Sequence, residues 1–103
     1  MATVRWTVGV QQDLQDIVEY IGRDSHLYAA ATADRIFRAV RRLARHPRLG
    51  RMAPEYRDPS VRELILSPYR VVYRVLRSRV GVIAIVHGNR DLLARLRNAD
   101  WTV

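Results

Sequence analysis

The stretch SPYRVVYRV, residues 67–75, decides how this chain folds. Its side chains alternate between two faces, as in a β-strand. One face carries aromatic and aliphatic residues, namely Tyr69, Val71, Tyr73 and Val75. The other face carries Arg70, Val72 and Arg74. We therefore expect an apolar layer to cover the first face, and we expect the second face to stay open to water.

Two more strand-like runs flank this stretch. VRELILS (61–67) precedes it, and RVGVIAIVH (79–87) follows the full central run YRVVYRVLR (69–77). The gaps around Pro68 and Ser78 are only one or two residues long, and gaps that short permit only antiparallel hairpins. The C-terminal half therefore predicts a three-stranded antiparallel sheet.

Two amphipathic helices are predicted before this sheet. In the first, Leu14, Ile17, Val18 and Ile21 form an apolar stripe, with Thr7 as the N-cap and Gly22 at the end. The second is expected from about His26 to about His46, capped by Ser25 or Asp24 and stopped by Pro47. Two consecutive helices with apolar stripes need one surface to cover, and the face of Tyr69 and Val75 is large enough.

The remaining segments complete the predicted order. TVRWTV (3–8) is expected to be a first strand, and residues 47–60, with three prolines and a glycine, a loop. Residues 88–100 predict a short final helix with Asn89 as its cap and with Leu92, Leu93 and Leu96 facing inward. The fold class is α+β, a single domain over residues 1–103 with the order β-α-α-β-β-β, an antiparallel sheet, two N-terminal helices on one face and a short C-terminal helix.

Composition narrows the possible functions. The 103 residues carry a formal net charge of +8, and all 18 basic residues are arginine. A small domain this basic attracts polyanions such as nucleic acid or an acidic protein segment. The chain has no cysteine, and its histidines do not fall at ligand spacing, so we expect no thiolate site, metal or cofactor. With no signal peptide and no apolar run long enough to span a bilayer, we expect a cytoplasmic protein with no membrane contact.

These segments, taken in order, resemble the RelE/ParE superfamily of toxins from bacterial type II toxin–antitoxin systems, also known as plasmid stabilisation proteins. The resemblance runs from about Val4 to Leu92. It is carried by WT at 6–7, DLQDIVEYI in the first helix, HPRLGR at 46–51, PE at 54–55, REL at 62–64, YRVVYRV at 69–75 and VHGNRDL at 86–92. The last two are more similar to the ParE-like branch, which implies inhibition of DNA gyrase. The RelE-like branch implies a metal-independent endoribonuclease that cuts messenger RNA on the ribosome, and a third alternative is a non-toxic relative that only binds an antitoxin.

The resemblance also suggests site residues. If the chain is a nuclease, Arg70 and Arg90 match arginines of the enzymes and Glu55 matches a glutamate that could serve as a base. If it binds a target or an anion without chemistry, the candidates are Arg62, Arg70 and Arg90, together with His87, which does not align with the histidine of the enzymes. The tyrosine that RelE-like enzymes carry near the C-terminus has no counterpart in DLLARLRNADWTV (91–103), which favours the gyrase branch.

Two other charged residues of the strands have an ordinary structural explanation. Glu63 is expected to pair with an arginine across the hairpin, and Arg74 is expected to be merely solvated. Membership of the superfamily implies a cognate antitoxin with a flexible, often acidic segment as the partner. The predicted sheet edges could accept an extended segment, and the groove beside the helices could accept an amphipathic helix.

Overall fold

The computed structural model describes residues 1–88 and 90–102. Its helices and strands follow the predicted order, with one additional short strand between the helices and the hairpins. The elements are β1 (Thr3–Trp6), α1 (Val8–Gly22), α2 (His26–Arg41), β2 (Arg51–Met52), β3 (Val61–Leu66), β4 (Tyr69–Leu76), β5 (Arg79–His87) and α3 (Leu92–Leu96).

The strands form one sheet in the order β1-β5-β4-β3-β2, which makes β4 its centre. The β3–β4 and β4–β5 pairs are antiparallel, as predicted from their short connections. The sheet as a whole is mixed, because β1 pairs in parallel with β5 from Thr3 opposite Arg79 to Trp6 opposite Val82. Parallel neighbours need a long connection, and the helices and hairpins between β1 and β5 supply it.

The predicted caps fix where the helices begin. The Thr7 hydroxyl accepts the Val10 N–H at 3.2 Å and donates to the Val82 carbonyl at 3.0 Å, so it also ties α1 to β5. Ser25, rather than Asp24, caps α2 by accepting the Tyr28 N–H at 3.0 Å. The α2 helix ends at Arg41 and tightens into a 3-10 turn over Arg42–Ala44, so it stops earlier than His46. Tightening of the last turn satisfies carbonyl groups that the helix end leaves unpaired.

The face of β4 that carries Tyr69, Val71, Tyr73 and Val75 is covered by α1 and α2, as predicted; we call it the helix face. Its contacts form an apolar core in which Val71 and Tyr73 are fully buried. The helices contribute Val10, Ile36 and Val40 to this core, and Leu14, Ile17 and Ala39 pack against it.

The opposite face is covered over much of its area, contrary to the prediction, and stays open to water at the end where β3 turns into β4, where Ile65 is 50% exposed. Leu92 and Leu96 of α3 bury themselves against Val72 of β4 and its neighbours in β5, with Tyr56, Ala99 and Trp101 at the margin; we call this the α3 face. Arg74 is not simply solvated either, because its guanidinium donates to the Trp101 carbonyl at 2.8 Å. The sequence argument failed here because it gave the final helix no surface of its own.

A bulge allows β5 to serve both faces. The register with β4 shifts so that Val72 lies opposite Ala84 and Tyr73 lies opposite Val82, which leaves Ile83 as an extra residue. Ile83 and Ala84 therefore both pack on the α3 face, while Val82 and Ile85 pack on the helix face. Nearly every side chain of β5 is buried, because helices cover both faces of this strand.

The α3 helix differs from the prediction in two details. Asp91 is its N-cap and accepts the Ala94 N–H at 3.2 Å; the predicted cap, Asn89, lies outside the described residues. Leu92 and Leu96 face inward as predicted, whereas Leu93 is exposed. A helix of five residues has room for only one narrow buried stripe.

An ion pair joins α1 to α3 beside β5. Asp13 accepts the Ile85 N–H at 3.0 Å and pairs with Arg95 of α3 at 2.8 Å. The neighbouring strand β1 ends at Trp6, opposite Val82, so it offers no carbonyl to the Ile85 N–H, and the carboxylate of Asp13 accepts that hydrogen bond instead.

Across residues 1–88 and 90–102, no helix is long and apolar enough to cross a membrane.

Candidate functional site

A cleft of about 420 Å³ opens at the end of the sheet where β3 turns into β4. Its polar lining comes from Arg51, Glu55, Arg70 and His87, and its apolar lining includes Pro54, Ile65, Pro68 and Tyr69. Three of the residues singled out from the sequence, Glu55, Arg70 and His87, therefore meet in one place.

Arg70 is held by two carboxylates. Its Nη1 and Nη2 atoms each donate to one oxygen of Glu55 at 2.7 Å, which is a bidentate pair. Its Nε atom donates to Glu63 at 2.7 Å, and Nη2 makes a further short contact with the same carboxylate. The guanidinium predicted to await a target thus already has anionic partners within the chain.

Glu63 is the buried member of this group. Its side chain is 0% exposed, and its second oxygen accepts from Arg51 Nε at 2.6 Å. Glu63 pairs with Val72 and Arg70 pairs with Ile65 across the same two strands, so the ion pair is diagonal on the α3 face. The predicted pairing of Glu63 across the hairpin is present. We refer to Arg51, Glu55, Glu63 and Arg70 together as the Arg70 cluster.

The ion pairs of the Arg70 cluster shift the pKa values of Glu55 and Arg70, which bears on whether either group can transfer a proton. Hydrogen bonds from Arg70 hold the pKa of the Glu55 carboxyl below its usual range. The Glu55 carboxylate in turn raises the pKa of the Arg70 guanidinium, with Glu63 adding to the effect. A carboxylate with a lowered pKa is a weaker base, and an arginine with a raised pKa does not donate its proton.

Arg62 is directed away from this cleft. It lies opposite Tyr73 in the β3–β4 pairing, so its side chain belongs to the helix face while that of Arg70 belongs to the α3 face. Its guanidinium donates to two backbone carbonyls, those of Gly50 at 2.8 Å and Pro59 at 3.1 Å. The structure therefore does not bring Arg62 and Arg70 together.

Gly50 accounts for part of the HPRLGR motif. Its N–H donates to the Tyr73 hydroxyl at 2.8 Å, and a Cβ atom at this position would lie 2.3 Å from the Glu63 carbonyl oxygen. Only glycine allows the chain to approach β3 so closely before β2 begins. The loop predicted over residues 47–60 thus contains a short strand, because Arg51 and Met52 pair with Glu63 and Arg62.

His87 and Arg90 lie near the rim. The ring of His87 meets the ring of Tyr69 edge-on, with centroids 5.9 Å apart. The side chain of Arg90 is exposed, and its backbone N–H donates to the His87 carbonyl at 2.9 Å. Arg90 is not among the residues that line the cleft.

Sequence reasoning missed the full composition of the Arg70 cluster. Arg51 was not among the predicted site residues, and Glu63 was predicted only as the cross-strand partner of an arginine. The available signal was the pattern of VRELIL, in which Glu63 shares one face of the strand with the apolar residues Val61 and Ile65. Within the part of the chain that the structure describes, no group of three or more His, Cys, Asp or Glu side chains is placed to hold a metal ion.

Comparisons with known proteins place the chain in a family. The model of the ParE toxin of the type II toxin–antitoxin system parDE matches residues 4–92. Toxin Y4kP of Sinorhizobium fredii is 36% identical over 90 residues, which cover 85% of this chain and 90% of that protein. Toxin ParE3 of Caulobacter vibrioides is 35% identical over 68 residues, covering 66% of this chain and 67% of the relative.

A solved structure supports the same fold. A chain from the chromosomal ParDE toxin–antitoxin system of P. aeruginosa superimposes with a TM-score of 0.70 over 84% of this chain and 96% of its own length, at 24% identity. The family match spans most of the molecule, from β1 to the start of α3. The chain therefore belongs to the ParE toxin family of type II toxin–antitoxin systems.

Proposed function

We propose that this ParE-family toxin acts by inhibiting DNA gyrase, and that a cognate antitoxin binds it directly and neutralises it. In this role the toxin and antitoxin together stabilise the plasmid or chromosomal region that encodes them. The observation that carries the choice of gyrase over messenger RNA is the state of Arg70, whose guanidinium is paired with both Glu55 and Glu63.

Metal-free RNA cleavage makes different demands on these residues. It needs a positive group to stabilise the phosphorane charge, a base to accept the 2′-hydroxyl proton and an acid to protonate the leaving oxygen. In the Arg70 cluster the two guanidinium groups are balanced by two carboxylates, and the pKa of Glu55 is lowered by Arg70. Arg70 and Glu55 are thus engaged with each other rather than prepared for these roles.

The antitoxin contact is favoured by charge and by the shape of the sheet. The net charge of +8 attracts an acidic segment and speeds its encounter with the toxin. Strand β2 pairs only with Arg62 and Glu63 of β3 within the described residues, and the Ala53 N–H donates to the Val61 carbonyl, so the outer edge of β3 toward Leu66 can accept an extended segment.

The decisive test compares the two targets with one protein preparation. Purified toxin is added to gyrase with relaxed plasmid, and separately to ribosomes stalled on a defined message. We expect loss of supercoiling with an intact message, and we expect the antitoxin encoded beside the toxin gene to restore supercoiling. Cleaved message with unaffected gyrase would refute the proposal in favour of a ribosome-dependent endonuclease. Antitoxin binding with neither effect would identify a non-toxic relative.

A pair of matched variants tests further whether the protein cleaves messenger RNA. Arg70→Ala would lower nuclease activity by roughly a hundredfold or more if Arg70 stabilised phosphorane charge. Arg38→Ala is the control, because Arg38 is an exposed arginine of α2 whose ion pair with Asp34 at 3.0 Å is on the surface. Thermal melting of both variants checks that any lost activity does not reflect unfolding.

A further inference from the structure

The two carboxylates on Arg70 are not equivalent. The Glu63 side chain is 0% exposed and belongs to the sheet, whereas the Glu55 side chain is 28% exposed and comes from the loop between β2 and β3. Glu55 binds Arg70 from the side of the cleft, through both terminal nitrogen atoms. Rotation of the Glu55 side chain into water would open these donors without disturbing the buried pair.

The charges of the cluster define what could take the place of Glu55. Arg51 and Arg70 together balance Glu55 and Glu63. A carboxylate that replaced Glu55 would keep this balance and would reuse the same bidentate geometry. A phosphate dianion would add a second negative charge beside buried Glu63, so the site favours carboxylates.

We propose that this cleft is a binding site for an acidic side chain of a partner protein segment. Glu55 is then an internal competitor, which occupies the two terminal nitrogen atoms of Arg70 (the Arg70 fork) until that segment binds. The walls formed by Pro54, Ile65, Pro68 and Tyr69 suit the stem and neighbouring residues of a peptide. The inference deepens the proposed antitoxin contact, and it rests on that function only for the identity of the natural partner.

Competition has a measurable consequence. A partly exposed ion pair favours its paired state by roughly fivefold, so the terminal nitrogen atoms of Arg70 are free of Glu55 only a minor part of the time. The affinity for an incoming carboxylate falls by that free fraction. Removing the competitor should therefore strengthen binding, roughly fivefold.

The experiment measures fluorescence anisotropy of a labelled peptide of alternating Glu and Ala with the full chain and its variants. Glu55→Gln should bind roughly fivefold more tightly than the unmodified chain. Glu19→Gln is the matched control, because it makes the same change of charge at an exposed residue of α1 whose side chain accepts a hydrogen bond only from Gln15 among the described residues. We expect it to change the affinity less than about twofold, as a general charge effect.

A second variant tests the fork itself. Lysine keeps the charge but cannot form the bidentate contact, so the double variant Glu55→Gln, Arg70→Lys should lose the gain in affinity. Equal effects of Glu55→Gln and Glu19→Gln would overturn the inference, since binding would then follow net charge alone. Tripolyphosphate, added as a competitor of the peptide, tests the ligand class. If Glu55→Gln strengthened its binding by the same factor, the choice of a carboxylate as the ligand would be overturned.

These results are independent of the toxin's target. Failure of the peptide assay with intact gyrase inhibition would remove only this cleft inference. A positive peptide assay with no effect on gyrase would leave the cleft site standing and would refute the proposed target.

Discussion

On the helix face, apolar side chains of β4 and β5 meet two long helices, and the contacts form a continuous apolar core. On the α3 face, the cover is a five-residue helix with a few loop residues, and the Arg70 cluster completes the end of the sheet beside β3. The first face depends on buried apolar area. The second combines a smaller apolar core with ion pairs, so changes on the two faces should differ in size and in their dependence on pH.

The largest loss of stability is expected on the helix face. Ile36 of α2 is 1% exposed in the apolar core, and Ile36→Ala would leave a cavity costing about 3 to 4 kcal/mol of unfolding free energy. Leu27→Ala in the same helix is the control, since Leu27 is 83% exposed and its loss should cost less than about 0.5 kcal/mol. Urea denaturation measures both. Similar losses for the two variants would contradict the assignment of the core.

The second prediction concerns Gly50, which lies against Glu63 of β3 just before β2 begins. A Cβ atom on Gly50 would overlap the backbone of Glu63, which a strand cannot move aside, so Gly50→Ala should cost about 2 to 3 kcal/mol. Gly22→Ala provides the comparison, because the nearest atom to its added Cβ lies 3.7 Å away and alanine suits a helix end. We expect the Gly22 variant to be as stable as the parent or slightly more stable in thermal melting. A stable Gly50 variant would show that the approach to Glu63 is not tight.

The helix face illustrates what the sequence could reveal. The stripes at Leu14 and Ile17 in α1 and at Ile36 and Val40 in α2 repeat with helical spacing, and the strand at Tyr69–Leu76 repeats every second residue. Regular repeats of this kind depend only on local geometry. The helices, the hairpins and the covering of Tyr69 and Val75 were therefore predicted correctly from the sequence.

The α3 face shows what local patterns leave out. Leu92 and Leu96 are only two apolar positions, too few to indicate which surface they cover. Arg70 and Glu55 are 15 residues apart, and nothing in either neighbourhood indicates that a loop returns to place one on the other. The parallel pairing of β1 with β5 is likewise a contact between the two ends of the chain. Ion pairs across such separations follow from the folded topology, so the sequence predicted the pairing of Glu63 across the hairpin but not the pairing of Arg70 with Glu55.

A smaller effect is expected from the pair that joins the faces beside β5. Asp13→Ala would leave the Ile85 N–H without its acceptor and the partly buried Arg95 without its ion-pair partner, at a cost of about 2 kcal/mol. Asp16→Ala in the same helix is the control, because Asp16 is exposed and accepts only from Gln12 within the described residues. Hydrogen exchange gives a local readout, since the Ile85 amide should lose protection in the Asp13 variant alone. Unchanged exchange at Ile85 would mean that Asp13 does not replace a strand partner there.

The smallest effect tests whether the α3 face responds to acid. The pKa of Glu55 is lowered from 4.5 by hydrogen bonds from Arg70, so the folded state favours the ionised carboxylate. A carboxyl group whose pKa is lowered by folding contributes stability above its unfolded pKa and loses that contribution as pH falls through the folded value. Glu55→Gln should therefore reduce the unfolding free energy at pH 7 by less than about 1 kcal/mol, because the pair is partly exposed.

The gap in unfolding free energy between this variant and the parent should shrink as pH falls below 4.5 and disappear once Glu55 is protonated in the folded state. Urea denaturation across this range measures the gap, with Glu19→Gln as an exposed control that should show little difference at any pH. A gap that widened with acid would mean that Arg70 does not stabilise ionised Glu55. The α3 face would then not differ from the helix face through this ion pair.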